Sequence, residues 1–425
     1  MIKRIVILCM AVLFYLPIRS QDKNYARSII DTLASPSMHG RGYVNNGDKI
    51  ASRFINEEFK KDDLKSFGNT YFQTFHLPVC DLSGNMTVKI GIRTLSPGVE
   101  YLVSPSSPTT KGIFRVLKID SQIVKNKRKF NKILRADLSK KFVLLNRKGI
   151  SDKNILAQLD TIEYKNSLNA VGFITLSDKL IWGAEDALEP SNTVNITIKS
   201  KNLPAKLKKI TVDIYRELQP SHEFNNIIGY VEGKTKPDSF IVFTAHYDHL
   251  GQMGSDIYFP GANDNASGTA MILDLAKYYS KNQPDYSVAF ISMCGEELGL
   301  IGSSYYVSHP IFPLSEIRFL INLDMEGTGD NGIKVVNGTV MKKEFDLLSK
   351  INDEKKYLPS VNIRGEAANS DHYPFYKKGV RDIFIYTLGG IGEYHNIFDK
   401  AETLPLTKYD DLFKLLTDFV QALND

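Results

Sequence analysis

Apolar residues in NNGDKIASRFINEEFKK recur at Ile50, Phe54, Ile55 and Phe59, the spacing of one helical face, and the following NTYFQTFHLPV alternates as a strand does. From about residue 84 to 218 the texture changes to short extended runs broken by turns: MTVKIGIRTL, GIFRVLKI, KKFVLLNRKG, AVGFITLS and TVNITI. From about 223, apolar strands alternate with amphipathic helices. The strands are SFIVFTA, YSVAFISM, FLINLDM, IKVV and DIFIYTL, and helices are expected over roughly 266–281, 297–308, 341–353 and 408–423. This alternation predicts an α/β fold with a mostly parallel sheet covered on both faces. The middle segment reads as an insertion into that fold or a lid upon it.

Composition changes this picture little. At 425 residues, two domains are the prior, and 43% hydrophobic with 24% charged residues is ordinary for a globular chain. The net charge is +5, and it falls to +2 without Lys3, Arg4 and Arg19. So small an excess points to no nucleic-acid partner. MIKRIVILCMAVLFYLPIRSQ has a basic start, an apolar run from Ile5 to Ile18 and a small residue at Ser20. Residues 1–20 are therefore expected to be a signal peptide, too short to span a membrane, and the protein to be exported to a periplasmic or extracellular space with no integral membrane segment after cleavage. Only Cys80 and Cys294 then remain, which excludes a disulfide framework. Cys294 closes an apolar run and reads as a core residue.

The strand ends carry the chemistry. Ligands of open α/β sheets gather beyond the carboxyl ends of the strands, and those ends deliver His246 with Asp248, then Asp264, Glu296 with Glu297, Asp324, and His395 after a glycine loop. Alternate strand positions share a direction, so Asp248 is expected beside His246, where a carboxylate fixes the tautomer of a ligating imidazole. Glu296 and Glu297 are adjacent and project differently; one is free to bind metal while its neighbour faces a water. Clustered Asp264, Glu297 and Asp324 would repel and take up protons unless cations offset them. Two divalent cations and a bridging hydroxide bring three carboxylates to zero net charge. His and carboxylate ligation suits zinc, with manganese or cobalt also possible, and a two-metal site suits hydrolysis. Taken singly, an HxD, a glutamate pair or a histidine occurs without function. Order and placement carry the inference.

With those residues assembled, the chain resembles the zinc-dependent aminopeptidases of the bacterial leucyl-aminopeptidase type, a family that includes glutamate carboxypeptidase-like enzymes and transferrin-receptor ectodomains. The matching stretches are TAHYDHLG (244–251), PGANDNASG (260–268), CGEELGLIGS (294–303), INLDMEG (321–327), NSDHYPF (369–375) and EYHNIFD (393–399). The resemblance implies an α/β/α sandwich with an eight-stranded mixed sheet and two zinc ions. It implies that His246 and Asp324 hold one ion and Glu297 and His395 the other, with Asp264 bridging, Asp248 orienting His246 and Glu296 as general base. It also implies a cis peptide at Asp264-Asn265. ASPSMHGRGYVNNGDKIASRFI (34–55) resembles the family's N-terminal signature, and KKFVLLNRKG…NAVGFITL a protease-associated domain. The expected organisation is 21–83 and 219–425 for the catalytic fold and 84–218 for the inserted protease-associated-like domain. YHNIFDKAETL departs from the family pattern after His395, where many relatives have Thr. Ser370, Asp371 and His372 match a motif near the substrate cleft, with substrate contact and a structural role both open.

An aminopeptidase acting on peptides is the leading expectation. Glutaminyl cyclase on the same fold, a carboxypeptidase or dipeptidase, and an inactive binding ectodomain are the alternatives. DNASG followed by GLIGS looks more like the peptidases than the cyclases, and a receptor has no need of five ligands plus Glu296. Side-chain preference and oligomeric state are not encoded in these motifs.

Overall fold

Ile241, Phe243 and Ala245 enter one apolar core while Phe240 and Val242, between them, enter another. Side chains alternate across a strand, so a run that is apolar at every position must be covered on both sides. The neighbouring strand repeats the pattern, with Val288 and Phe290 on one side and Ala289, Ile291 and Met293 on the other. This is a three-layer α/β/α arrangement. The computed structural model describes residues 23–423 other than 205 and 256, so the expected signal peptide lies outside the described residues.

The strands of this sheet, numbered in chain order, are β1 (Phe72–Asp81), β2 (Glu217–Val231), β3 (Lys236–His246), β4 (Tyr286–Met293), β5 (Ile317–Leu323), β6 (Ile333–Val336), β7 (Val361–Ile363) and β8 (Asp382–Thr387). Their spatial order is β1-β2-β4-β3-β5-β8-β6-β7. The central β4-β3-β5-β8 run is parallel, and antiparallel pairs flank it at β1-β2, β2-β4 and β8-β6. Helices Lys23–Leu33, Gly268–Lys281 and Tyr409–Ala422 cover one face; Ile301–Ser308 and His372–Lys377 cover the other.

Between β1 and β2, residues 86–214 form a second mixed sheet of eight strands. The expected β-rich segment is thus present as a sheet of its own, but it also holds helices at Ser121–Lys125, Lys127–Leu134 and Lys153–Lys165. Periodicity misses them because each buries only one or two residues, Val124, Phe130, and Leu159 with Ile162. Their signal is capping: Asp120, Asn126 and Asp152 each accept backbone N–H bonds at the helix start. The expected helix 297–308 begins only at Ile301, because Gly295, Gly299 and Leu300 take positive φ angles of 83°, 95° and 60° and turn the chain there. Cys80 and Cys294 are buried and free. No helix among the described residues is long and apolar enough to cross a membrane.

Asp382, at the start of β8, is fully buried. Its Oδ1 accepts from Asn337 Nδ2 at 2.7 Å, and its Oδ2 has no hydrogen-bond partner. Burial raises its pKa to about 8, with the Asn337 bond opposing. The folded chain therefore keeps a proton that the unfolded chain releases near pH 4. The resulting stability is present in full below that pH and is lost as pH rises towards 8. Asp382→Asn is expected to raise the unfolding free energy at pH 8 by an amount on the order of a few kcal/mol, seen as a higher melting temperature, and to lose that advantage as pH falls to about 4. Thermal melts across this range check it; parallel profiles for the two proteins would contradict it.

Candidate metal centre

β3 ends at His246, and the chain turns at once. Asp248 therefore lies beyond the strand, and the alternation expected to set it beside the imidazole does not apply. His246 Nδ1 is 3.2 Å from the Asp248 backbone carbonyl but 3.8 Å from its carboxylate, too far for a hydrogen bond. The carboxylate instead accepts from the Glu296 and Glu297 backbone N–H groups at 3.2 and 3.3 Å. Asp248 thus ties the β3 end to the β4 end, and its contribution to His246 comes through its carbonyl.

PGANDNASG makes a wide turn in which Ala266 N–H reaches the Gly261 carbonyl at 3.2 Å, before the helix starts at Gly268. Gly261 has φ 57°, and a β-carbon there would meet the Asp264 carbonyl and the His249 ring at 2.3 and 2.4 Å. Only glycine fits. Asp399 accepts from Asn263 N–H and Asp264 N–H at 2.9 and 3.0 Å, holding the turn from the carboxyl-terminal loop. The Asp264-Asn265 peptide is cis, as the resemblance implies.

Three β-strand ends and two loops bring all five expected ligands and Glu296 together. His246 Nε2 stands 3.4 Å from Asp324 Oδ1 and 3.5 Å from Asp264 Oδ1. Asp264 Oδ2 is 3.1 Å from His395 Nε2, which is also 3.1 Å from Glu297 Oε2. Asp264 therefore faces one histidine with each oxygen. Glu296 stands off at 4.0 Å from His246 Nε2. A tetrahedral zinc site with bonds of about 2.0–2.1 Å has donor–donor edges of about 3.3–3.4 Å, so the observed spacings fit metal ligation. His246 Nε2 and Asp324 Oδ1 are buried and make no hydrogen bond, which is the other mark of donors meant for an ion.

Electrostatics point the same way. Burial opposes the charged form of His395, but Glu297 and Asp264 override it and raise the pKa to about 11. Burial alone would raise Glu297, yet His395 and His249 hold it well below the ordinary carboxylate range. Glu296 is raised well above that range by burial, with Glu297 and Asp324 adding to the effect and His246 opposing it.

Three further residues support the ligands and were not among those expected. His249, fully buried, has Nδ1 2.7 Å from Glu297 Oε1, leaving Oε2 to face His395. Asp399 holds the Asp264 turn. Arg41, fully buried, donates to the carbonyls of Tyr247, Leu33, Pro260 and Gly261 at 2.6–2.8 Å, and burial lowers its pKa to about 10 against the pull of Asp399 and Asp264. Lysine keeps the charge but lacks the planar fork. Arg41→Lys is therefore expected to cost roughly 3 kcal/mol or more in stability through unsatisfied carbonyls, measured by denaturant unfolding. A loss under about 1 kcal/mol would show that the carbonyls find other partners.

Ser370, Asp371 and His372 are fully buried. Ser370 Oγ donates to Asp324 Oδ2 at 3.0 Å and accepts from Asn322 Nδ2 at 2.9 Å, so Ser370 supports Asp324.

The sequence profile of peptidase family M28 matches residues 226–420. Aminopeptidase YwaD of Bacillus subtilis (strain 168) is 34% identical over 162 residues, covering 36% of this chain and 34% of that protein. A probable zinc metalloprotease of Pyrenophora teres f. teres (strain 0-1) is 34% identical over 114 residues, covering 26% of this chain and 24% of its own length. The chain thus spans about a third or less of the length of these curated relatives. Among solved structures, BSAP, a zinc aminopeptidase from Bacillus subtilis, superimposes with a TM-score of 0.70 at 21% identity, over 94% of each chain. That likeness extends the shared fold to almost the whole molecule, second sheet included. Residues 226–420, which carry every one of the clustered site residues, are thus the part of the chain that matches peptidase family M28.

Proposed function

We propose that the chain is an exported zinc aminopeptidase that removes N-terminal residues from peptides. What supports the reading is the convergence of five ligand-type side chains at 3.1–3.5 Å, with Asp264 facing both histidines. In this reading His246 and Asp324 hold one ion, Glu297 and His395 the other, and Asp264 bridges. Residues 84–218 act as the protease-associated-like module, and residues 1–20 as the signal peptide.

When bound by His246, Asp264, Glu297, Asp324 and His395, two zinc ions would supply Lewis acidity for activating a water and polarising the scissile carbonyl. Glu296 receives the proton of that water and delivers it to the leaving amine. Burial raises its pKa, with Glu297 and Asp324 adding to the effect, which favours its holding the proton between the two halves of this transfer. Asp248 fixes the peptide groups of Glu296 and Glu297, so base and ligand keep their relative positions. Ser370 and His249 hold the carboxylates of Asp324 and Glu297.

The test pairs metal analysis with a panel of aminoacyl-anilides and short peptides. Expected are two zinc ions per chain, release of free N-terminal residues, loss of turnover with a chelator, and recovery with zinc. N-acetylated peptides should be inert. Turnover of N-blocked peptides would indicate a carboxypeptidase, and pyroglutamate formation a cyclase.

A further inference from the structure

Trp182, the chain's single tryptophan, lies in the second sheet's portion of the chain, after the strand Gly172–Ser177. Its peptide groups grip His395 from two directions. Trp182 N–H donates to the His395 carbonyl at 2.9 Å, and the Trp182 carbonyl accepts from His395 Nδ1 at 3.0 Å. A carbonyl only accepts, so Nδ1 carries a proton, and in the neutral ring that a metal requires the lone pair sits on Nε2, which faces Asp264 and Glu297. His395 has φ 50°, a left-handed conformation that costs energy for a residue with a β-carbon. The two bonds hold that conformation and the ring plane together.

Trp182 is itself anchored. Its Nε1 donates to the Val103 carbonyl at 2.7 Å, and its indole stacks on Phe259 with centroids 4.6 Å apart and planes 16° from parallel. Both rings are buried. Phe259 immediately precedes Pro260 and Gly261, the approach to Asp264. One residue from the second sheet's segment therefore braces both loops, the His395 loop through its backbone and the approach to Asp264 through its indole.

We propose that Trp182 is a positioning residue for His395, which makes the second sheet a working part of the metal centre. The inference rests on reading His395 as a ligand. Trp182→Ala removes the stack and the Nε1 bond, freeing the segment that grips His395. It is expected to weaken metal binding about 10–100-fold, the usual effect of losing an outer partner of a ligating histidine. Trp182→Phe keeps the stack and should stay close to wild type.

The wild-type protein offers a readout that needs no variant at all. Titrating the metal-free full chain with cobalt should quench its single-tryptophan emission in a saturable way, in step with ion uptake. His395→Ala should abolish the part of the quenching that follows uptake at that position. Wild-type affinity in Trp182→Ala, or emission that ignores bound cobalt, would overturn the proposal. If His395→Ala loses metal and Trp182→Ala does not, this inference alone fails. If His395→Ala binds metal as the wild type does, the functional reading fails and takes this inference with it.

Discussion

Glu296→Gln is expected to lower kcat by about 10²–10⁴-fold while metal content stays at the wild-type level. The substitution preserves size and one acceptor oxygen but removes the group that takes and returns the proton. Geometry separates Glu296 from the ligands, since its nearest oxygen is 4.0 Å from His246 Nε2 while Asp324 approaches to 3.4 Å. The donor atoms of His246, Glu296 and Asp324 nevertheless lie within 4.8 Å of one another, so a ligand role is the natural competitor. The two roles predict different outcomes. A base leaves two ions per chain and slow turnover; a ligand costs an ion. Unchanged hydrolysis in the variant would falsify the proton-transfer role outright.

The second large effect is expected at Asp264. An asparagine there presents one acceptor oxygen and an NH₂ group, and an NH₂ group cannot ligate a cation. Because the two carboxylate oxygens face His246 and His395 separately, a single substitution should disturb both positions. Metal content of Asp264→Asn should fall below one ion per chain. Activity should drop about 10³-fold or more, the equivalent of several kcal/mol of lost charge stabilisation. The thermal upshift given by added zinc, worth about 4 kcal/mol at a thousandfold excess over Kd, should vanish with it. The turn itself is held by Asp399 and Arg41 through backbone groups, so the metal-free variant should keep wild-type circular dichroism. Retention of both ions would remove Asp264 from the bridging position.

Much of this was legible because the informative residues follow short apolar runs. β3, β4 and β5 are each apolar over several consecutive positions, and His246, Glu296, Glu297 and Asp324 stand just where those runs stop. The supports were illegible for a physical reason. Arg41 and Asp399 act on carbonyls and N–H groups, which every residue carries, so no side-chain pattern announces them. Trp182 meets His395 across 213 positions of sequence. His249 was within reach, since it adjoins the HxD triplet, but its partner Glu297 lies on another strand end. Asp248 was placed correctly and given the wrong contact, because strand alternation was extended one turn too far.

The two ends of the second sheet's segment meet at one antiparallel pair, where Asp81 stands opposite Glu217. In topological terms, residues 82–216 are the loop of a hairpin. Such a segment is open to exchange for another of different length, since a closed hairpin asks only that its two ends stay adjacent. Any replacement would leave the catalytic sheet's connectivity intact but would have to bring its own grip for His395. The hairpin base thus sets one geometric condition on that segment, and the His395 contact sets a second.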